Sequence, residues 1–215
     1  MPDVANTVLL VDDHPLLRKG VSQLLELEDD IEVIGEAANG EEAIVKAKSL
    51  DPDLILLDLS MKGMDGIETL TAMRDADVSS RIVVFTVSDD RSDVVAALKS
   101  GADGYLLKDL EPEELVDSIR RACAGKMVLS NQLAEVLALS LRDDQKSQGP
   151  DLDSLTRREL QILKYIAAGL SNKLIGRKLD IAESTVKVHV KHLLKKLGFR
   201  SRVEAAVWMV EQQKP

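Results

Sequence analysis

Leu54-Ile55-Leu56-Leu57-Asp58 sets four apolar residues in a row and closes them with an acid. A run this short reads as a strand. No polar residue alternates through it, so both of its faces must be covered, as in a parallel sheet packed between helices. The pattern recurs through the first half of the chain, at Thr7–Val11 ahead of Asp12-Asp13, at Glu32–Gly35, at Ile82–Thr86, and at Gly104–Leu107 ahead of Lys108. Amphipathic stretches separate these runs: Leu16–Leu27, Glu41–Leu50, Gly66–Arg74, Ser92–Lys99 and Glu113–Ala124. The last is opened by Glu111-Pro112-Glu113-Glu114, with proline and acids in the first turn. Five βα units predict a doubly wound α/β fold on a five-stranded parallel sheet, whose chemistry gathers at the carboxyl ends of the strands.

The second half differs in kind. From Leu155 onward the apolar spacing is helical throughout, so a separate all-α domain is expected. Charge divides at the same place. Residues 1–127 hold 13 basic and 27 acidic side chains, a balance of −14, whereas residues 154–205 hold 12 and 4, a balance of +8. The whole chain, at −9, conceals a basic unit able to neutralise phosphates and an acidic unit unsuited to touching DNA. The expected division is 1–127, a linker helix and tether over 128–150, and 151–215. Within the middle segment Asn131–Arg142 looks helical and Asp143–Pro150 reads as a solvated tether. With 215 residues, each unit is long enough to bury its own core, and scarce aromatics make those cores aliphatic. The single cysteine, Cys123 between Ala122 and Ala124, rules out an intramolecular disulfide and suits a buried structural thiol in a reducing cytoplasm. No apolar run approaches the length of a membrane span, and no targeting segment is evident, so a cytoplasmic protein without membrane insertion is expected.

Three loops at the carboxyl edge carry the chemistry: Asp12-Asp13 after the first strand, Asp58 after the third, Lys108 after the fifth. Thr86 ends the fourth. Each residue alone could be a helix cap. Together, two or three carboxylates converging in one crevice repel one another, and a divalent cation relieves that repulsion. An all-oxygen donor set suits Mg²⁺. Beside such a cation Asp58 can attack a phosphoryl group, with the Lys108 ammonium and the Thr86 hydroxyl on the phosphoryl oxygens.

Val11-Asp12-Asp13-His14-Pro15, Leu57-Asp58-Leu59 and Gly104-Tyr105-Leu106-Leu107-Lys108 resemble the receiver domain of two-component response regulators, which has a flavodoxin-like fold. The resemblance covers about residues 7–125. It implies that Asp58 is the phosphoacceptor and that Asp12, Asp13, Asp58 and the Ser60 backbone carbonyl hold Mg²⁺. It further implies that Lys108 contacts the phosphoryl group, and that Thr86 and Tyr105 form a switch pair. One departure stands out: Lys62, in Met61-Lys62-Gly63-Met64-Asp65-Gly66, occupies a place where the family usually has proline. A rival reading, a phosphatase of the haloacid-dehalogenase type, needs a second aspartate two residues after the nucleophile. Ser60 stands there instead. The receiver is therefore not expected to be an enzyme with an external product.

In the second half, Thr156 reads as an N-cap with Glu159 as its capping-box partner, and the helix it opens runs through Ala168 to a stop at Gly169. Ser171–Leu179 forms a second helix and Asp180–Glu183 a turn. Ser184 or Thr185 is expected to cap a third helix over Val186–Leu197. On that helix Val186, Val190, Leu193, Leu194 and Leu197 make a buried stripe. Lys187, Val188 and Lys191 lie on another face, placed to meet base edges in a major groove, while Ser184, Thr185, Lys195, Lys196 and Arg200 suit backbone phosphates. His189 and His192 have no metal-ligand companions, and Trp208 is expected to pack the last helix onto the core. Leu155–Met209 is similar to the LuxR-type helix-turn-helix domain of the NarL/FixJ regulator family, and in Thr185–His192 and Ser201–Trp208 it most resembles the nitrate/nitrite response regulators. That likeness implies a sensor histidine kinase responding to nitrate or nitrite, double-stranded promoter DNA of anaerobic respiration genes, RNA polymerase, and a homodimer on DNA when phosphorylated. The opposed charges suggest that the unphosphorylated acidic unit covers the recognition helix. The competing reading is a receiver used as a protein-docking module beside architectural DNA binding.

Overall fold

The computed structural model describes residues 5–129 and 152–212. The helix expected over Asn131–Arg142 and the tether Asp143–Pro150 lie outside the described residues. The first unit runs β1 (Asn6–Val11), α1 (Pro15–Leu25), β2 (Ile31–Ala37), α2 (Gly40–Leu50), β3 (Leu54–Leu57), α3 (Gly66–Asp75), β4 (Arg81–Thr86), α4 (Arg91–Lys99), β5 (Gly104–Leu107) and α5 (Pro112–Cys123). Its strands form one parallel sheet in the order β2-β1-β3-β4-β5, the expected doubly wound arrangement.

Continuous apolar strands are required because both faces are buried. Leu9, Val11, Ile55, Leu57, Ile82 and Val84 point to the layer of α2, α3 and α4. Their neighbours Val8, Leu10, Leu54, Leu56, Val83 and Phe85 point to the layer of α1 and α5. Strand β2 is longer than its apolar run because it is an edge, where Glu32 is exposed and only Ile31 and Ala37 at its ends are buried. The register places Val11 beside Leu57 and Leu57 beside Val84, so the strands deliver their last residues to a common edge. Below that edge the Arg74 guanidinium staples α3 to the loops around β4 and β5. It donates to the Val78, Ser80 and Gly101 carbonyls and pairs with buried Asp103 at 2.7 Å. The Cys123 thiol is buried against α5's apolar neighbours, and burial pushes it up to about 12, which leaves it unreactive.

The second unit opens with a short turn at Leu152–Ser154 and continues as α6 (Arg157–Ala167), α7 (Asn172–Leu179), α8 (Glu183–Leu197) and α9 (Arg202–Gln212) around its own core of Ile162, Leu163, Ile166, Ile175, Val186, Val190 and Leu193. The Thr156–Glu159 capping box is formed as expected. Trp208 packs at the edge of this core, its ring 5.6 Å from that of Phe199. One expectation is corrected: α8 begins at Glu183 with Ala182 as its cap, so Ser184 and Thr185 sit in the first turn and cap nothing. The reason is the tightness of the preceding turn. Ile181 N–H donates back to the Gly176 carbonyl, and the chain enters the helix at once, with the Thr185 and Val186 amides on the Ala182 carbonyl. A side chain at Gly176 would stand 2.8 Å from the Ile181 oxygen, so this turn closes only over glycine. Among the described residues no helix is long and apolar enough to cross a membrane.

Glu159 does more than cap. Burial pushes its carboxyl up, but the Lys196 ammonium at 2.7 Å and the Thr156 amide and hydroxyl outweigh that and hold it at about 2, below its usual 4.5. A depressed carboxylate stabilises the fold fully above the unfolded value and loses that contribution as pH falls through the folded one. The thermal stability of the second unit should therefore fall as pH is lowered from 4.5 to about 2, and Glu159→Gln should flatten that dependence while lowering stability at neutral pH. An unchanged pH profile in the variant would count against the assignment.

Candidate functional site

The site sits where the parallel ladder runs one residue past the strands. Asp58 N–H donates to the Val11 carbonyl, Asp12 N–H to Ala37 and Lys108 N–H to Thr86. These bonds fix Asp12, Asp58 and Lys108 side by side without any loop having to fold for the purpose. The following segment is pressed close: a Cβ on Gly66 would lie 2.3 Å from the Asp58 carbonyl oxygen, so glycine is required where α3 begins.

Asp58 is 1% exposed. Lys108 Nζ lies 2.9 Å from its Oδ2 and 2.8 Å from Asp12 Oδ2, an ammonium between two carboxylates. Neither Asp58 oxygen accepts a hydrogen bond, and the contact of Lys108 with Asp58 is made through Oδ2. Asp12 Oδ1 takes the His14 N–H at 2.7 Å. Asp13 faces His14 Nδ1 at 2.9 Å through Oδ1 and accepts the Lys62 N–H at 3.2 Å through Oδ2. Oxygens of Asp12, Asp13 and Asp58 and a nitrogen of His14 all lie within 4.8 Å of one another. A buried carboxylate oxygen without a partner is costly, and three such groups about one ammonium and a single imidazole leave a deficit of positive charge. An oxygen-seeking divalent cation fits this donor set. The Ser60 side chain is exposed on the loop leaving Asp58, so any part it plays falls to its backbone carbonyl.

Thr86 and Tyr105 are both fully buried at the edge beside this cluster. They meet through a third residue. Ser88 N–H donates to Thr86 Oγ1 at 3.4 Å, and the Tyr105 hydroxyl donates to the Ser88 carbonyl at 2.9 Å. Burial pushes the Tyr105 phenol up to about 12, so it remains a donor. Ser88 also ties into α4 by donating from its hydroxyl to Asp93 at 2.6 Å. Nothing in the sequence marked Ser88, since a serine after a strand reads as ordinary turn chemistry.

The residues expected to read DNA lie on α8, and two of them face the first unit. Lys187 Nζ donates to the Asp51 carbonyl at 2.9 Å and stands 3.3 Å from the Asp51 carboxylate and 3.4 Å from that of Asp53. Lys191 Nζ lies 3.2 Å from Asp77. Val188, between them in sequence, is 51% exposed. Ser184, Thr185, Lys195, Lys196 and Arg200 are exposed, though Lys196 is held by Glu159. Lys191, Lys195 and Arg200 line a cleft of about 320 Å³ shared with Arg74 and Asp77 of the first unit. Glu183 opens α8 against the same surface, and burial followed by the nearby Asp53 carboxylate raises its carboxyl above the ordinary value. The backbones also touch: a Cβ on Gly125 would stand 2.3 Å from the Gly169 carbonyl oxygen, across the two units. Asp51, Asp53 and Asp77 were not foreseen. Asp51 caps α2 and Asp77 follows α3, both in the left-handed conformation where aspartate is locally at home.

Comparison with known proteins identifies both halves of the chain. Residues 8–120 match the response regulator receiver domain family, and residues 153–209 match the bacterial regulatory proteins of the luxR family. The chain is 60% identical over 207 residues to the nitrate/nitrite response regulator protein NarL of Escherichia coli K12, covering 96% of each chain. It is 48% identical to the nitrate/nitrite response regulator protein NarP of the same organism, over 96% of this chain and 95% of that one. Among solved structures, the response regulator ChrA of a heme-sensing two-component system aligns over 99% of both chains with a TM-score of 0.52 and 32% identity. The chain belongs to the two-component response regulators that carry a receiver domain followed by a LuxR-type helix-turn-helix domain.

Proposed function

We propose that a sensor histidine kinase phosphorylates Asp58 and thereby frees α8 to bind promoter DNA. The observation that carries this reading is the engagement of Lys187 and Lys191 by Asp51, Asp53 and Asp77. A lysine paired to the receiver cannot at the same time meet a base edge, so the unphosphorylated chain competes with DNA through its own acids. The domains of this reading are a receiver over 1–127, a linker over 128–150 and a DNA-binding domain over 151–215.

At the receiver Asp58 is the nucleophile, and its oxygens carry no hydrogen bond that attack would have to break. Asp12, Asp13, Asp58 and the Ser60 carbonyl would hold Mg²⁺, which supplies charge neutralisation for the incoming phosphoryl group. Lys108 is placed to pass from its carboxylate partners to the phosphoryl oxygens. The Thr86 hydroxyl, offered a phosphoryl oxygen, turns away from the Ser88 amide. Ser88 then shifts, and Tyr105, bonded to its carbonyl, must find another position. In this way a bond made at the sheet edge moves the surface around α4. The protein turns over its own aspartyl phosphate and makes no external product.

At the second domain Lys187, Val188 and Lys191 read bases, and Ser184, Thr185, Lys195, Lys196 and Arg200 contact the DNA backbone. Phosphorylated chains bind as homodimers and engage RNA polymerase at promoters in the cytoplasm. The NarL relative is named for a response to nitrate and nitrite, and at 60% identity over nearly the whole chain the same signal and the genes of anaerobic respiration are assigned to this one.

Two outcomes test the reading. Incubation with a small acyl phosphate and Mg²⁺ should label the wild-type chain and raise its affinity for promoter DNA, and Asp58→Asn should abolish both; labelling retained in the variant would remove Asp58 as acceptor. Exposed ion pairs contribute about 0.2–1 kcal/mol each. Asp51→Asn combined with Asp77→Asn should therefore tighten DNA binding by the unphosphorylated chain about two- to thirtyfold, measured by anisotropy with a labelled duplex. No gain in affinity would refute occlusion by these acids.

A further inference from the structure

We infer that the backbone amide of Lys62 positions Asp13 for the cation, a service that proline at this place could not perform. The inference rests on the proposed Mg²⁺ site and concerns how its outermost carboxylate is aimed.

Asp13 divides its two oxygens between different surroundings. Oδ2 accepts the Lys62 N–H at 3.2 Å, a bond joining the loop after β3 to the loop after β1 across 49 residues. Oδ1 is buried and accepts no hydrogen bond. It faces His14 Nδ1 and lies in the same 4.8 Å group as the oxygens of Asp12 and Asp58. A carboxylate on a loop can rotate, and each rotation that takes Oδ1 out of the cluster lowers the fraction of molecules ready for an ion. Holding the outer oxygen leaves the inner one directed inward, so less ordering remains to be done when the cation arrives.

The donor is itself well held. Met61, immediately before it, is buried in the core cluster on the α2–α4 face of the sheet. Gly63, immediately after it, takes a φ of +83° with open space around its Cα. Between these two the peptide of Lys62 presents its N–H toward Asp13 while its side chain stands exposed. The contribution thus comes from the main chain, and any residue with an N–H can make it. Proline, which has none and fixes its own φ, cannot.

The test uses the full, unphosphorylated chain, with Mg²⁺ alone as the titrant in calorimetry and thermal unfolding as a check on each variant. Lys62→Ala, which keeps the N–H, should bind Mg²⁺ within about twofold of wild type, whereas Lys62→Pro should bind about three- to tenfold more weakly. Equal affinity of Lys62→Pro and wild type overturns the inference while leaving the cation site intact. An equal loss in Lys62→Ala and Lys62→Pro also overturns it, because the side chain would then be responsible. Failure of the wild-type chain to bind Mg²⁺ overturns both the site and the inference. A second measurement does not depend on the proline variant folding: the ¹⁵N–¹H resonance of Lys62 should shift and its hydrogen exchange quicken in Asp13→Ala, which removes the acceptor. An unmoved resonance with unchanged exchange shows that no such bond is made.

Discussion

Lys108 Nζ lies between the carboxylates of Asp12 and Asp58, three side chains that the end of the sheet brings together from β5, β1 and β3. Two anions buried beside a single ammonium are not balanced, and removing charges from water is expensive unless each finds a partner. The arrangement persists because the residues are set by main-chain bonds at the ladder's end and by a core on both faces of the sheet. The doubly wound fold supplies rigidity, and the site uses it to keep acids closer than they would stand in solution. A cation entering this cluster would meet a set of donors already in place, and it would relieve a tension of charge that folding created.

Much of this was legible in the order of residues. The four-residue apolar runs could only be strands covered on both sides, and the acids and lysine that closed them had to meet at one edge because parallel strands deliver their ends there. The capping box at Thr156 and Glu159 was equally plain. The start of α8 was not, because Ser184 and Thr185 are good caps in isolation, and only the closeness of Gly176 to Ile181 moves the helix start back to Glu183. Ser88 escaped notice for a related reason. Its part depends on contacts with Thr86 and Tyr105 from different strands, and its residue type announces nothing more than a turn.

The relation between the two domains was visible in outline and hidden in detail. A balance of −14 followed by +8 foretells attraction between the halves, but net charge has no address. Two of the acids that meet Lys187 and Lys191, Asp51 and Asp77, stand at or just beyond the ends of α2 and α3, where a left-handed turn explains an aspartate fully and leaves no reason to look further. The same positions serve two purposes, one local to the chain's turning and one for a partner more than a hundred residues away. Glu183 adds an opposing tendency: a carboxyl brought near Asp53 in the same contact surface resists the very closure that Lys187 promotes. Under the proposed function, a surface of pairs and counter-pairs suits an equilibrium to be shifted rather than a permanent joint.

The packing of Trp208 against Phe199 gives the molecule an internal reporter. The chain has one tryptophan, and it lies in the DNA-binding domain, at the edge of a core that includes the buried side of α8. The receiver contributes no indole to the emission. Any change of intrinsic tryptophan fluorescence on phosphorylation of the first domain must therefore have crossed to the second, so the native chain carries its own optical gauge of communication between its halves.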